Sequence, residues 1–494
     1  MKVGIVAKTL GVLSVLIGAI MALLMFYAWV EWKVGEQTAE EWEAVLALGY
    51  SAAISIGVGA LQVLGGARSQ NKIMRREGIV IVGLSWVQVG MLGGLPYIFS
   101  HPGLDPIAAF FESVSGFTTT GSSVMTDIEA YPRAILMWRS VTQWLGGIGI
   151  LVVFVAVLSF LGAGTKSLVS QESSLNLSDS GTSRIKDLAW VLLKVYVVLT
   201  SVCGLGLWLL GMSPFEAICH SMTTMATGGF SPKNASIAHY QSVGIEIWLG
   251  IFMFLASLGF TLYVFIARGR WKRVRAEEEA KYYALLLTCV FLLVAWNVWH
   301  SDLGLGWAGA LRSAFFNVLS ISSTTGFGSG DYDQWPLFSK MLLAMLMFIG
   351  GCAGSTAGGV KMNRVILFKR IALRELVQSF RPSQVFRIKL NGVAPDERVF
   401  VTTSFFIALC FAICGAAMLL VSLFEPQLDS LSVLGCVFGT TFNIGPGFAA
   451  VGPTDNYSFL GSDTLVLLSF LMILGRLEFF ALLVLFVPSL WKRY

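Results

Sequence analysis

The sequence predicts an all-α polytopic membrane protein, with four membrane-loop-membrane repeats around one pore preceded by two extra transmembrane helices. Three observations carry this fold class. The 494 residues are 55% hydrophobic and 13% charged with mean hydropathy +0.74, and several apolar runs reach the ~20 residues that cross about 30 Å of hydrocarbon as a helix. Four short Thr/Gly-rich segments then interrupt the apolar pattern, each after a stretch long enough for only a half-length membrane helix. Finally, the segments are related by internal self-similarity.

The four segments are Thr118-Thr119-Thr120-Gly121, Ala226-Thr227-Gly228-Gly229-Phe230, Ser323-Thr324-Thr325-Gly326-Phe327 and Phe442-Asn443-Ile444-Gly445-Pro446, with closing glycines 97 to 119 residues apart. Sliding the third back by 205 residues places Phe315-Phe316 on Phe110-Phe111, Asn317 on Glu112 and Gly326 on Gly121. A shift of 108 puts Ser221 on Ser113 and Gly229 on Gly121, while the fourth copy keeps little beyond Gly445 and an apolar lead-in.

The elements follow in order. A first span over about 10–30 lies behind Lys2 and Lys8; it exceeds the roughly 7–15 apolar residues of a cleaved leader and is kept as a membrane helix. A second covers about 45–64. Each repeat then supplies a full span, a half-span ending in its Thr/Gly segment and a second full span: 78–99 and 135–161, 187–211 and 243–267, 283–300 and 337–370, 398–424 and 463–490. The expectation is ten full crossings and four re-entrant loops. They divide into an N-terminal two-helix domain (1–70) and pore repeats at 71–165, 185–275, 280–375 and 395–494.

Charge sets the orientation, because basic residues collect on the cytoplasmic side. Arg68, Lys72, Arg75 and Arg76, then Arg268, Arg270, Lys272, Arg273 and Arg275, then Lys361, Arg364, Lys369, Arg370 and Arg374, and finally Lys492 and Arg493 all fall on one side under ten spans. Glu31, Glu36, Glu40, Glu41, Glu43, Asp127, Glu129, Asp331 and Asp333 fall on the other. Both termini are expected inside and the Thr/Gly loops open outward. The net charge of +5 argues orientation and contact with membrane lipid rather than nucleic-acid binding. Seven cysteines, all in or beside apolar segments, read as buried, reduced packing residues, and four scattered histidines give no metal cluster.

Non-helical backbone at membrane depth is tolerated only where protein buries it or it lines a watery cavity. Four such places in one chain imply a cavity. Glycine lets backbone carbonyls turn toward an axis, threonine adds hydroxyl oxygens, and rings of carbonyls replace the hydration shell of a potassium ion.

These segments, with Phe110-Phe111-Glu112-Ser113, Gly350-Gly351-Cys352-Ala353-Gly354-Ser355-Thr356, Gly358-Gly359-Val360-Lys361 and Gly475-Arg476-Leu477-Glu478, resemble the superfamily of bacterial Trk and Ktr and plant HKT potassium transporters over nearly the whole length. The extra N-terminal pair of spans looks most like the TrkH-type subunit. The resemblance implies four units around one pore, a homodimer, and a cytosolic nucleotide-binding (NAD/ATP/ADP), TrkA-like regulatory ring as partner. It implies gated potassium uptake across the inner (plasma) membrane, with K+ as transported ion and no bound organic cofactor in this chain.

Carried over residue by residue, the resemblance places a selectivity filter at Thr119, Thr120 and Gly121, Thr227, Gly228 and Gly229, Thr324, Thr325 and Gly326, and Asn443, Ile444 and Gly445, with backbone carbonyls as ligands. In plant relatives a serine at the first filter glycine accompanies sodium transport; here all four closing residues are glycine, which favours potassium. Asn443-Ile444 in place of a Thr pair and Pro446 after Gly445 make the filter less regular than four identical chains would.

The resemblance also makes Gly350, Gly351, Gly354, Ser355, Thr356, Gly358 and Gly359 an intramembrane gate loop, joined by Lys361 and Arg476. Composition alone leaves a close helix-packing surface as the other reading. Arg476 and Glu478 sit in an apolar final span, where a central charge costs at least about 2.5–3.5 kcal/mol. Two residues apart on a helix, they do not face each other. Arg476 either lies toward the pore below the filter or forms a buried ion pair, with Glu112 as one candidate partner. Segments 164–186 and 362–397 are expected to dock the regulatory ring or attract anionic lipid.

A proton- or sodium-coupled secondary cation transporter stays open as the alternative, although four same-orientation repeats do not match inverted-repeat architecture. An intramembrane enzyme would need a nucleophile–base or metal constellation, and the sequence carries none. Coupling is not required energetically, since a unit charge gains about 2.3 kcal/mol per 100 mV.

Overall fold

The computed structural model describes residues 3–35, 38–69, 74–160, 181–384, 387–392 and 394–491. Lys2, Lys72, Lys492, Arg493 and the greater part of the expected docking segment 164–186 lie outside them. Helices dominate, and the long pair that opens the chain, α1 (Val3–Val34) and α2 (Ala39–Gly65), forms an antiparallel hairpin. Glycine sets how closely the two approach. A Cβ on Gly11 would stand 2.6 Å from the carbonyl oxygen of Gly59, and one on Gly59 would stand 2.7 Å from that of Gly11, the reciprocal small-residue contact that lets membrane helices cross tightly.

Each repeat begins with a long apolar helix: α3 (Arg75–Phe99), α6 (Gly181–Leu209), α11 (Glu278–Trp299) and α15 (Glu397–Phe424). Each then re-enters through a short helix: α4 (Pro106–Phe117), α7 (Pro214–Met225), α12 (Trp307–Ser322) and α16 (Ser430–Thr441). At 1.5 Å per residue a helix of twelve residues reaches about 18 Å, little more than half the hydrocarbon. Local sequence fixes where three of the short helices start. Asp105 accepts from Ile107 N at 3.1 Å with Pro106 in the first turn, and Ser213 forms a capping box with Glu216 ahead of Pro214. Asp429 accepts from Ser432 N at 3.2 Å and from its hydroxyl, contacts that hold its carboxyl below the ordinary value.

The second helices of the repeats depart from the ten uninterrupted spans expected. That of repeat 1, α5 (Arg133–Phe160), is continuous. In repeat 2, α8 (Val243–Ser257) gives way to α9 (Phe260–Ala267) through a 93° bend. A short basic helix, α10 (Trp271–Ala276), follows. In repeat 3 the expected span 337–370 is split into α13 (Leu337–Phe348) and α14 (Met362–Phe380) by a thirteen-residue segment. In repeat 4 the span 463–490 stops at α17 (Ser462–Arg476), followed by the short helices α18 (Phe480–Leu483) and α19 (Pro488–Trp491) with a 3-10 turn over Val484–Phe486 between them. Among the described residues six helices are long and apolar enough to cross a membrane, and the bent α8–α9 pair makes a seventh.

The break in repeat 2 has a physical cause. It frees the carbonyl of Ser257 and the N–H of Phe260, and the split in repeat 3 supplies their partners: Cys352 N donates to Ser257 O at 2.8 Å, and Gly354 O accepts from Phe260 N at 3.0 Å. One interruption satisfies the other, as buried backbone at membrane depth requires. The cysteine expectation holds for six residues; Cys289 is exposed on the outer face of α11, where an apolar environment suits a thiol as well as a core does.

Candidate functional site

The four Thr/Gly segments end their short helices in the same way. Thr119 N bonds Gly116 O at 2.9 Å and Thr120 N bonds Ser115 O at 2.9 Å. Thr227 and Gly228 repeat the pattern with Thr224 and Thr223, Thr324 and Thr325 with Ile321 and Ser320, and Asn443 and Ile444 with Thr440 and Gly439. This paired closure is a Schellman ending, which needs one left-handed residue. That residue is Thr119, Thr227, Thr324 or Asn443, with φ of 54°, 55°, 56° and 55°. Threonine is β-branched and rarely occupies this region, so three of the four loops hold a strained residue and the fourth uses asparagine, which tolerates it. The departure at Asn443 noted in the sequence therefore preserves the backbone.

Two residues on, Gly121, Gly229, Gly326 and Gly445 are again left-handed, with φ of 89°, 75°, 77° and 101°. Their missing side chains face the neighbouring loop. A Cβ on Gly121 would stand 2.2 Å from Gly228 O, one on Gly229 2.0 Å from Thr325 O, one on Gly326 2.0 Å from Ile444 O, and one on Gly445 2.7 Å from Thr120 O. The sequence of contacts runs from loop 1 to 2, 2 to 3, 3 to 4 and back to 1. The four loops close a ring whose joints admit only glycine.

Polar side chains pin the ring. Asn443 Nδ2 donates to Thr120 Oγ1 and to Met472 O, each at 2.9 Å. Ser122 Oγ and Tyr457 Oη donate to Gly445 O at 3.1 and 2.8 Å, and Gln143 Nε2 donates to Gly228 O at 2.6 Å. Thr118 and Thr120 share a 2.7 Å hydroxyl contact that Ser323 and Thr325 reproduce in repeat 3. The second helices also press close. A Cβ on Gly146 would lie 1.9 Å from Phe117 O, and one on Gly475 1.8 Å from Thr441 O, so each glycine lets its helix touch the carbonyl end of its own repeat's short helix.

The glycine-rich segment between α13 and α14 lies against the ring on the side of its left-handed residues. Gly358 N donates to Thr324 Oγ1 at 2.7 Å, Gly359 N to Phe442 O at 3.1 Å, and Thr356 Oγ1 to Met225 O at 3.0 Å. Three of the four repeats are thereby tied to one loop. Gly350 N and Val360 N pair with Val360 O and Phe348 O at 3.0 Å each, bringing the two ends of the loop together. Gly354 and Gly359 take φ of 71° and 66°, and Gly350, Gly351, Ser355 and Thr356 are buried. Lys361 folds back to donate to Ala357 O.

Arg476 is 3% exposed and donates from Nη1 to Thr356 O at 2.7 Å. The alternative of a buried ion pair with Glu112 does not form. Glu112 instead receives Arg139, with 2.8 Å contacts from both Nη2 and Nε; the two side chains are 0% and 2% exposed. Arg139 also stands 4.0 Å over the ring of Phe230 and donates to Ser231 O, so this pair joins repeat 1 to loop 2. Glu478 takes Arg364. The expected helical spacing between Arg476 and Glu478 does not apply, because Glu478 and Phe479 are left-handed, with φ of 52° and 64°, and end α17.

Sequence reasoning named every residue of the four loops but missed Gln143, Arg139, Ser122 and Tyr457. The signal for the first two was available, since an amide and a guanidinium in an apolar span demand partners. The tyrosine and serine lie in connecting segments with no such contrast.

Comparison with known proteins agrees with this architecture. The family described as TrkH, cation transport protein, matches residues 48–493. The Trk system potassium uptake protein TrkH of Salmonella typhimurium is 37% identical over 448 residues, covering 89% of this chain and 91% of that protein. The Trk system potassium uptake protein TrkI of Halomonas elongata is 33% identical and covers 99% and 97%. The crystal structure of the potassium transporter TrkH from Vibrio parahaemolyticus superposes with a TM-score of 0.88 at 31% identity and full coverage of both chains. A family match across nine-tenths of the sequence, joined to a full-length structural likeness, places the function in transport rather than enzymatic chemistry: this chain belongs to the TrkH family of cation transport proteins.

Proposed function

We propose that this protein mediates gated uptake of potassium across the inner (plasma) membrane through a pore along the axis of the four-loop ring. The carrying observation is the closed cycle of glycine–carbonyl approaches from Gly121 to Gly228, Gly229 to Thr325, Gly326 to Ile444 and Gly445 to Thr120. Four equivalent backbones around one axis supply rings of carbonyl oxygens for a partly dehydrated K+. The C-terminal ends of α4, α7, α12 and α16 lead into those rings and present their partial negative charge. In this reading Thr119 to Gly121, Thr227 to Gly229, Thr324 to Gly326 and Asn443 to Gly445 form the filter.

The loop from Gly350 to Gly359 is the gate, anchored by Arg476 and closed off by Lys361. Its hydrogen bonds to Met225, Thr324 and Phe442 support this reading. Residues 1–70 form the two-helix N-terminal unit, and 71–165, 185–275, 280–375 and 395–494 form the four repeats, with both termini cytoplasmic. The chain works as a homodimer on a cytosolic nucleotide-binding regulatory ring, and potassium moves down the membrane potential without a coupled ion.

The test is flux into proteoliposomes holding the purified chain at an imposed potential. Potassium and rubidium uptake exceeding sodium and lithium, and indifferent to a pH gradient, is the expected result. Uptake that follows a proton or sodium gradient would replace the pore with a coupled carrier.

A further inference from the structure

Loop 2 departs from the others at its middle position. Thr120, Thr325 and Ile444 carry side chains there, whereas repeat 2 has Gly228. The vacated volume is filled from another repeat. A Cβ on Gly228 would lie 2.4 Å from Cδ of Gln143, 2.5 Å from its Oε1 and 2.8 Å from its Nε2. Gln143 belongs to α5 of repeat 1 and is fully buried. Its amide grips the loop at two points, donating to Gly228 O at 2.6 Å and accepting from Phe230 N at 3.0 Å, so that Gly229 is bracketed between them.

Gly228 O is also the oxygen that the missing side chain of Gly121 faces at 2.2 Å, which puts the clamped carbonyl at the joint between loops 1 and 2. Among the described residues no side chain donates to the corresponding carbonyls of Thr120, Thr325 or Ile444. A buried amide with both its donor and its acceptor engaged is a rigid, directional restraint.

We propose that Gln143 is a specificity-determining positioning residue, a side chain lent by repeat 1 to the second filter loop, which fixes the Gly228 carbonyl and pairs obligatorily with glycine at 228. The proposal rests on the filter reading of the four loops. Without the amide, the Gly228 carbonyl is free to move toward a smaller ion, and discrimination against sodium falls. Glycine at 228 is then not a freedom of the backbone but the space that the glutamine requires.

The experiment compares potassium, rubidium, sodium and lithium flux in proteoliposomes of the full chain for wild type, Gln143→Met, Gly228→Thr, Gly228→Thr with Gln143→Ala, and Gly121→Ser as a filter control. Gln143→Met removes both hydrogen bonds; loss of the one that restrains the Gly228 carbonyl, about 1 kcal/mol, corresponds to a rise of about fivefold in the sodium-to-potassium permeability ratio. Gly228→Thr alone is expected to depress flux by collision with the amide, and adding Gln143→Ala to restore it. Should Gly121→Ser alter the ratio while Gln143→Met, with a lowered melting temperature, leaves it unchanged, Gln143 only packs and the filter reading survives. If neither variant moves the ratio, both fall. Should Gln143→Met not fold, the pair decides: failure of Gln143→Ala to rescue Gly228→Thr overturns the proposal.

Discussion

Arg476 donates a 2.7 Å hydrogen bond to the carbonyl oxygen of Thr356, tying the end of α17 in repeat 4 to the glycine loop of repeat 3. Nε and Nη2 of the same guanidinium are buried without a hydrogen-bond partner among the described residues. A charged group left two-thirds unsatisfied inside a membrane protein is costly. It persists because the loop carbonyl is there to receive it.

Replacing it therefore loosens the loop more than the fold. Arg476→Met removes a charged hydrogen bond of about 1.5–3 kcal/mol from the seated loop while also deleting a poorly solvated charge, so the melting temperature should change little. Basal potassium flux is expected to rise by about tenfold, the equivalent of 1.4 kcal/mol. Unchanged flux from folded protein would assign Arg476 to packing alone.

Gly358→Ala reaches the same state by another route. Its Cβ would stand 2.3 Å from Phe442 O and 3.0 Å from Asn443 Cβ, a backbone oxygen and a Cβ fixed to the backbone, neither of which is the free end of a flexible side chain. The loop cannot seat against repeat 4, and unguided flux should rise, as it should on deleting part of 354–359. Abolished flux in either folded variant would favour a purely structural loop.

At the ring itself, Gly121→Ser forces a side chain into a residue with φ of 89° and to within 2.2 Å of Gly228 O. Spreading the joint between loops 1 and 2 alters the carbonyl spacing on one side. Potassium-over-sodium selectivity, read from reversal potentials, should drop; an unaltered ratio would remove this layer from the filter.

The Glu112–Arg139 pair makes a prediction about stability. Both members are buried, and removing one strands the other at a cost of about 3–5 kcal/mol. Glu112→Gln and Arg139→Met should each lower the melting temperature in detergent strongly, and the double variant should be less damaged than the two singles combined. Additive losses would show that the two side chains act independently.

Much of this arrangement was legible in sequence, for reasons tied to particular residues. Pro106, Pro214 and Asp429 mark the starts of three of the four half-helices, and a closing glycine follows each of the four. The left-handed conformation of Thr119, Thr227 and Thr324 left no local mark, since threonine disfavours it; Asn443 alone hinted at it. The break after Ser257 was hidden because its freed backbone groups are satisfied by Cys352 and Gly354, almost a hundred residues away in sequence. The same non-locality left the partner of Arg476 open in the sequence. A buried charge announces that it needs a partner, and only packing decides that Arg139 claims Glu112.

The most direct test of the central claim is a structure of the protein with rubidium in place of potassium, read by anomalous scattering. The account predicts rubidium on the axis of the ring, between the carbonyls of Thr120, Gly228, Thr325 and Ile444 and those of the left-handed residues before them. Rubidium bound away from that axis, in protein that still transports it, would contradict it.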